Sequence, residues 1–159
     1  MTGWVRPALA PGGFPNGAAL EMILDEIDAM RAAWTTWTPT LTNLTQGNGT
    51  VLARYHQIGK TVRYRFRFVL GSTSAVGAAP VQITLPVTPG DYTEFTLGIC
   101  DYTDAGVANR FGVVRLVSGS TVNLLVLNTS AVLPGVATAV PHAWGTGDSI
   151  AVWGQYEAA

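Results

Sequence analysis

Residues 50–68 read TVLARYHQIGKTVRYRFRF. From Thr61 to Phe68 an arginine stands at every second position, Arg63, Arg65 and Arg67, with Val62, Tyr64, Phe66 and Phe68 between them. Side chains alternate across a strand, so this segment predicts one apolar face and one cationic face. Ile58, Gly59, Lys60 and Thr61 ahead of it make a two-residue hairpin turn, with Gly59 able to take the positive φ of a type II′ turn. That turn sets the register. Val51, Ala53 and Tyr55 then oppose Phe68, Phe66 and Tyr64 on the core face, while Leu52, Arg54 and His56 oppose Arg67, Arg65 and Arg63 on the other. Two independent alternations agree, which supports the pairing.

The rest of the chain from 36 onward follows the same grammar. Candidate strands are 36–44, 50–58, 61–70, 81–85, 92–100, 107–117, 121–127 and 148–156, separated by Gly- and Ser-rich turns. Residues 128–146, with Pro134, Gly135, Pro141 and Gly145, read as a long loop or a broken strand. Many short strands and no second helix predict a mostly β fold, an antiparallel β-sandwich or jelly roll.

Two segments precede it. Residues 1–15 are interrupted by Pro7, Pro11, Gly12, Gly13 and Pro15 and read as an extended arm. Trp4, Val5, Leu9 and Phe14 are apolar anchors with no local structure to bury them, which suits either a tail or an arm docking on another protein. Residues 16–35 read as the one convincing helix, with Asn16 as N-cap. Leu20, Ile23, Ile27, Met30 and Trp34 follow alternating three- and four-residue steps, and Leu24 widens that seam. The other faces carry Glu21, Asp25, Glu26 and Asp28. This predicts a short coiled coil, and isoleucine at successive seam positions favours three or four strands over two. A seam of about 15 residues is too short to hold alone, so the head must associate as well.

Composition narrows the function classes. Charged residues are 12% of the 159 and the net charge is −1. A surface so poor in charge points to an oligomer, while no apolar run approaches the ~20 residues of a membrane span. The N-terminus lacks a basic-then-apolar signal pattern. Cys100 is the only cysteine and only His56 and His142 supply imidazole, so neither a disulfide framework nor a metal site is expected. No nucleophile elbow, zinc-protease, phosphate-loop or dinucleotide motif occurs. Asp101 and Asp104 in DYTDAG resemble a metal-loop fragment without its remaining ligands, and read as a hairpin turn. No pair among Asp91, Glu94, Asp101, Asp104 and Asp148 stands out for glycoside hydrolysis. Cys100, in an apolar strand, reads as a buried small hydrophobe. No cofactor is implied.

The face of Arg54, His56, Arg63, Arg65 and Arg67 is the one functional feature. A solvated face, an anionic partner such as a cell-wall polymer, and pairing with carboxylates such as Glu94 or Asp101 across a protein–protein surface all fit it. The last is the reading adopted. Neutral total charge and the lack of interleaved aromatics argue against nucleic acid.

Residues 34–88 resemble modules in structural proteins of actinobacterial tailed phages. The elements that carry the likeness are WTPT at 37–40, Asn43, GNGT at 47–50, Tyr55, Gly59-Lys60, GSTS at 71–74 and LPV at 85–87. The resemblance implies a trimeric head of the tumour-necrosis-factor-like kind and a place on the virion surface. Arm, helix and head then become dock, stalk and knob. The short chain, without shaft repeats, points to a non-enzymatic capsid decoration protein or head fibre. The alternatives are a tail-tip receptor-binding protein and, behind it, a carbohydrate depolymerase. Expected partners are other copies of the chain, phage capsid or tail proteins and a host cell-surface glycan, with neither nucleic acid nor membrane.

Overall fold

The computed structural model describes residues 17–90, 96–128 and 132–159. The chain forms two units, Met1–Ala32 and Ala33–Ala159. In the first, helix α1 spans Gly17–Arg31 and carries Arg31 in its last turn, as the helix dipole favours. Ile23 and Met30 of the expected seam are exposed, and Leu20 and Ile27 are half-buried. The docking-arm residues Trp4, Val5, Leu9 and Phe14, and the N-cap Asn16, lie outside the described residues.

The second unit is built of strands β1 (Thr35–Thr36), β2 (Leu41–Thr42), β3 (Leu44–Thr45), β4 (Thr50–Ile58), β5 (Thr61–Val69), β6 (Ala75–Val76), β7 (Gln82–Thr84), β8 (Thr96–Asp104), β9 (Ala108–Ser118), β10 (Thr121–Val126) and β11 (Ser149–Glu157). Mostly β architecture therefore holds. Where the alternation predicts two packed sheets, the ladder runs continuously through nine antiparallel strands in the order β1-β4-β5-β11-β8-β9-β10-β7-β2, with β3 and β6 as a separate ribbon. The β4–β5 register is as the turn dictates: Ala53 faces Phe66, Arg54 faces Arg65 and Ile58 faces Thr61. Gly59 has φ 54°.

The sheet is strongly curled, and chain length explains why. Its two edge strands, β1 and β2, are joined only by WTPT, residues 37–40. Thr36 and Leu41 can be at most about 18 Å apart. Nine strands laid flat would set those edges about 38 Å apart. The sheet must roll until they nearly meet. Trp37 clasps the gap: its backbone N–H donates to Ala53 O on β4 at 3.2 Å, and its indole N–H donates to Thr84 O on β7 at 3.2 Å. This breaks the strand expected at 36–44 into three pieces. Pro39 lacks an N–H and Asn43 takes φ 56°, so neither continues a ladder there.

Two buried tyrosines shape the curl. Gly98 pairs with Gly154, and Tyr64 lies over them with its hydroxyl donating to Leu97 O at 3.3 Å. Gly112 sits where a Cβ would collide with the Leu125 carbonyl; Tyr102 lies beside it and donates to that oxygen at 3.0 Å. Strand glycines let rings and backbone approach this closely. Burial raises both hydroxyls well above the ordinary tyrosine range, so they act as neutral donors. Phe66, Phe68, Val114, Val122, Ile150 and Val152 fill the interior with them.

The GNGT and GSTS segments, 47–50 and 71–74, meet at one corner. Asn48 Oδ1 accepts from Thr73 N and Thr73 Oγ1, both at 2.9 Å, and Asn48 Nδ2 donates to Ser72 Oγ at 3.0 Å. Asn48 is thus a latch between loops. Asn48→Ala should cost about 1–2 kcal/mol of stability, since three modest bonds are lost near the surface. Urea unfolding measures this, and an unchanged midpoint would deny the latch any energetic role.

Candidate functional site

The outward face of the sheet is where unsatisfied surface collects. Strand β5 supplies Arg63, Arg65 and Arg67, all exposed, and β4 adds Leu52, Arg54 and His56. On the other side of β5 lies β11, which pairs Arg65 with Trp153 and Arg63 with Gln155. Next comes β8, where Ile99 stands opposite Trp153 and Asp101 opposite Ala151; β9 then sets Phe111 opposite Asp101. One face therefore carries arginines flanked by apolar side chains that water still reaches. Leu52 is 47% exposed, Ile99 45%, Phe111 57% and Trp153 43%.

Trp34, which the spacing predicts as the last seam residue, lies beyond the end of α1 and joins this face. Helix α1 ends at Arg31, and β1 pairs with β4 as Thr35 to Tyr55 and Thr36 to Arg54. Extending that register by one residue brings Trp34 opposite His56, and their ring centroids are 6.3 Å apart. β-branched threonines at 35 and 36 suit an edge strand better than a further helical turn. The Arg65 guanidinium lies over the Trp34 ring, 4.7 Å from its centroid. A cation over an indole face is favourable by about 0.5–1 kcal/mol at an exposed site. It gives Arg65 a neighbour other than Arg54, the like charge directly across the ladder. Arg63 Nε donates to Gln155 Oε1 at 3.0 Å.

Among the described residues, the expected partner Asp101 is not brought to the arginines. Asp101 Oδ1 is buried without a hydrogen-bond partner and sits two strands from Arg67, with β11 between. Glu94 lies outside the described residues. The aromatics missing from the linear motif are supplied by tertiary structure: Trp34 and Trp153 flank a groove of about 470 Å³ with Arg65, Ile99, Gly98 and Gly154. The two glycines have no side chains to fill it. The signal for Trp153 was present as the alternation of 148–156, but nothing local names its neighbour.

The groove lining has no nucleophile, imidazole or carboxylate. Cys100 is fully buried on the opposite side of β8, and burial pushes its thiol up to about 12. It is the inert small hydrophobe its strand predicts.

A second cluster lies elsewhere. Asp104 at the end of β8, His142 in the long loop and Asp148 just before β11 bring donor atoms within 4.8 Å of one another. Reading the sequence linearly missed it, because the three residues come from separate segments without ligand spacing. Among the described residues, no helix is long and apolar enough to cross a membrane. Comparison of the chain with protein-family models, curated proteins and solved structures finds no match.

Proposed function

We propose that this chain is a non-enzymatic structural protein of a tailed-phage particle, a trimeric head-surface appendage that docks through residues 1–15. The observation that carries the reading is the outward sheet face, where Arg54, Arg65, Trp153, Ile99, Phe111 and Leu52 lie side by side. Tryptophan and arginine dominate protein–protein contacts because each combines large apolar area with a directional polar group. A second copy of the chain is the occupant, since a chain with 12% charged residues exposes too little charge to remain solvated alone. The exposed Ile23 and Met30 extend the same logic to α1, as a short coiled coil that precedes a jelly-roll-like head in the chain.

Light scattering should report a trimer of the full chain. Deleting residues 1–15 should leave a folded trimer that no longer joins particles in a reconstitution assay. A monomer at micromolar concentration would defeat the trimer, and normal incorporation of the shortened chain would defeat the docking arm.

A tail-tip receptor-binding protein is the second reading. It is favoured by the open groove between Trp34 and Trp153, where a sugar ring of a host glycan could stack. It predicts adsorption to host cells that Trp153→Ala abolishes while the trimer persists.

A further inference from the structure

We propose that Asp104, His142 and Asp148 form a binding site for one divalent transition-metal ion, with zinc(II) the best match to the donor set. The cluster has features that a plain surface group of acids lacks. His142 and Asp148 are buried, their side chains each 6% exposed. Neither nitrogen of the His142 ring has a hydrogen-bond partner. A buried imidazole left without any such bond is costly. Yet Nε2 points at the cluster, 3.4 Å from Asp148 Oδ2.

That separation is long for a hydrogen bond but fits two ligands of one ion. With zinc–nitrogen and zinc–oxygen bonds of about 2.1 Å at tetrahedral angles, neighbouring donor atoms lie about 3.4 Å apart. Asp148 is already oriented for the task. Its Oδ1 accepts from Ala105 N at 2.9 Å and its Oδ2 from Gly145 N at 2.7 Å, and each oxygen keeps a lone pair. Backbone donors of this kind fix a ligating carboxylate in place. Asp104 is half-buried, so rotation of its carboxylate can close the remaining spread. A water would complete four-coordination, as at sites with three protein ligands.

The donor set also selects the ion. Calcium takes six to eight oxygens and magnesium keeps near-octahedral oxygen ligation, whereas one imidazole with two carboxylates suits zinc and its first-row neighbours. A divalent ion's charge also suits a donor set that contains two carboxyl groups. The ion would tie three segments together: the end of β8, the loop at His142 and the turn at 145–148. Such a staple would hold the irregular segment that carries His142 to the end of β8 and the start of β11.

The test uses the full chain after chelator treatment, titrated with zinc chloride by calorimetry and with cobalt(II) by visible absorbance. One ion per chain is expected, with tetrahedral cobalt bands and a thermal midpoint that rises with free zinc. Asp104→Asn and His142→Gln should each weaken binding by about 100-fold or more, since loss of outer-shell groups alone costs 10- to 100-fold. Cys100→Ser should change nothing. Asp104→Asn is the cleaner variant, because Asp148 and its backbone bonds are untouched. Failure of the treated protein to bind zinc or cobalt would overturn the proposal, as would binding that survives both substitutions.

Discussion

Truncating Phe66 to alanine is expected to lower folding stability by about 3–5 kcal/mol, the usual range for a buried aromatic. The ring is 1% exposed and lies at the middle of β5. Across the ladder it faces Ala53 on one side and Val152 on the other. Ala53 is too small to move into the space, and Tyr64 and Phe68, the same-face neighbours, are held by their own packing. Tyr64 is further tied by its bond to Leu97 O. The cavity would stay open, and an open cavity adds to the lost transfer energy. Chemical denaturation gives the number directly. A loss below about 1 kcal/mol would mean that the curled sheet relaxes far more easily than its closed edges imply.

Arg65→Glu is expected to weaken self-association by about 30- to 1,000-fold, the 2–4 kcal/mol of a central contact residue. Arg65 is the centre of the outward face, between Arg54 and Trp153 and under Trp34. Reversing its charge removes the cation from the indole face and presents a carboxylate where the partner copy would offer one. Within the chain the same change should be close to neutral, because the lost cation–indole contact, about 0.5–1 kcal/mol, offsets the gain opposite Arg54. Glutamate opposite Arg54 replaces a like-charge cross-strand pair by an opposite one, favourable by about 0.2–1 kcal/mol. Sedimentation and thermal unfolding should therefore respond differently: weaker association, little-changed head stability. If adsorption to cells is lost while the trimer persists, the face looks outward and the receptor-binding reading gains. If association, stability and attachment all stay as they were, the arginine row is a solvated face.

Turn chemistry and alternation made much of this fold legible. Gly59 set the β4–β5 register, and every pairing derived from it is present, including Arg54 against Arg65. The limits of β9, β10 and β11 fall within a residue or so of the alternating segments, whereas the strand expected to end at Cys100 continues through Asp104, so that DYTD of the expected turn is strand and the turn itself is 105–107. These are local properties: a period of two fixes which face a side chain takes, and a turn residue fixes which neighbour it meets across a short loop.

Partner choice between distant strands is not local. The amino-acid sequence by itself predicted a strand at 148–156, whose alternation sets Trp153 on the face opposite Val152. Only the tertiary structure decided that this strand lies between β5 and β8, which places Trp153 beside Arg65. Any strand with a matching apolar face could have paired there, and the choice depends on how the whole interior packs. The same holds for Trp34, which the helical spacing claims but edge pairing of Thr35 and Thr36 takes. It holds most strongly for Asp104, His142 and Asp148. A strand end, an irregular loop and a strand entrance converge because the pairing of β8 with β11 sets Thr103 opposite Ser149, and side-chain spacing along the chain carries no trace of that approach.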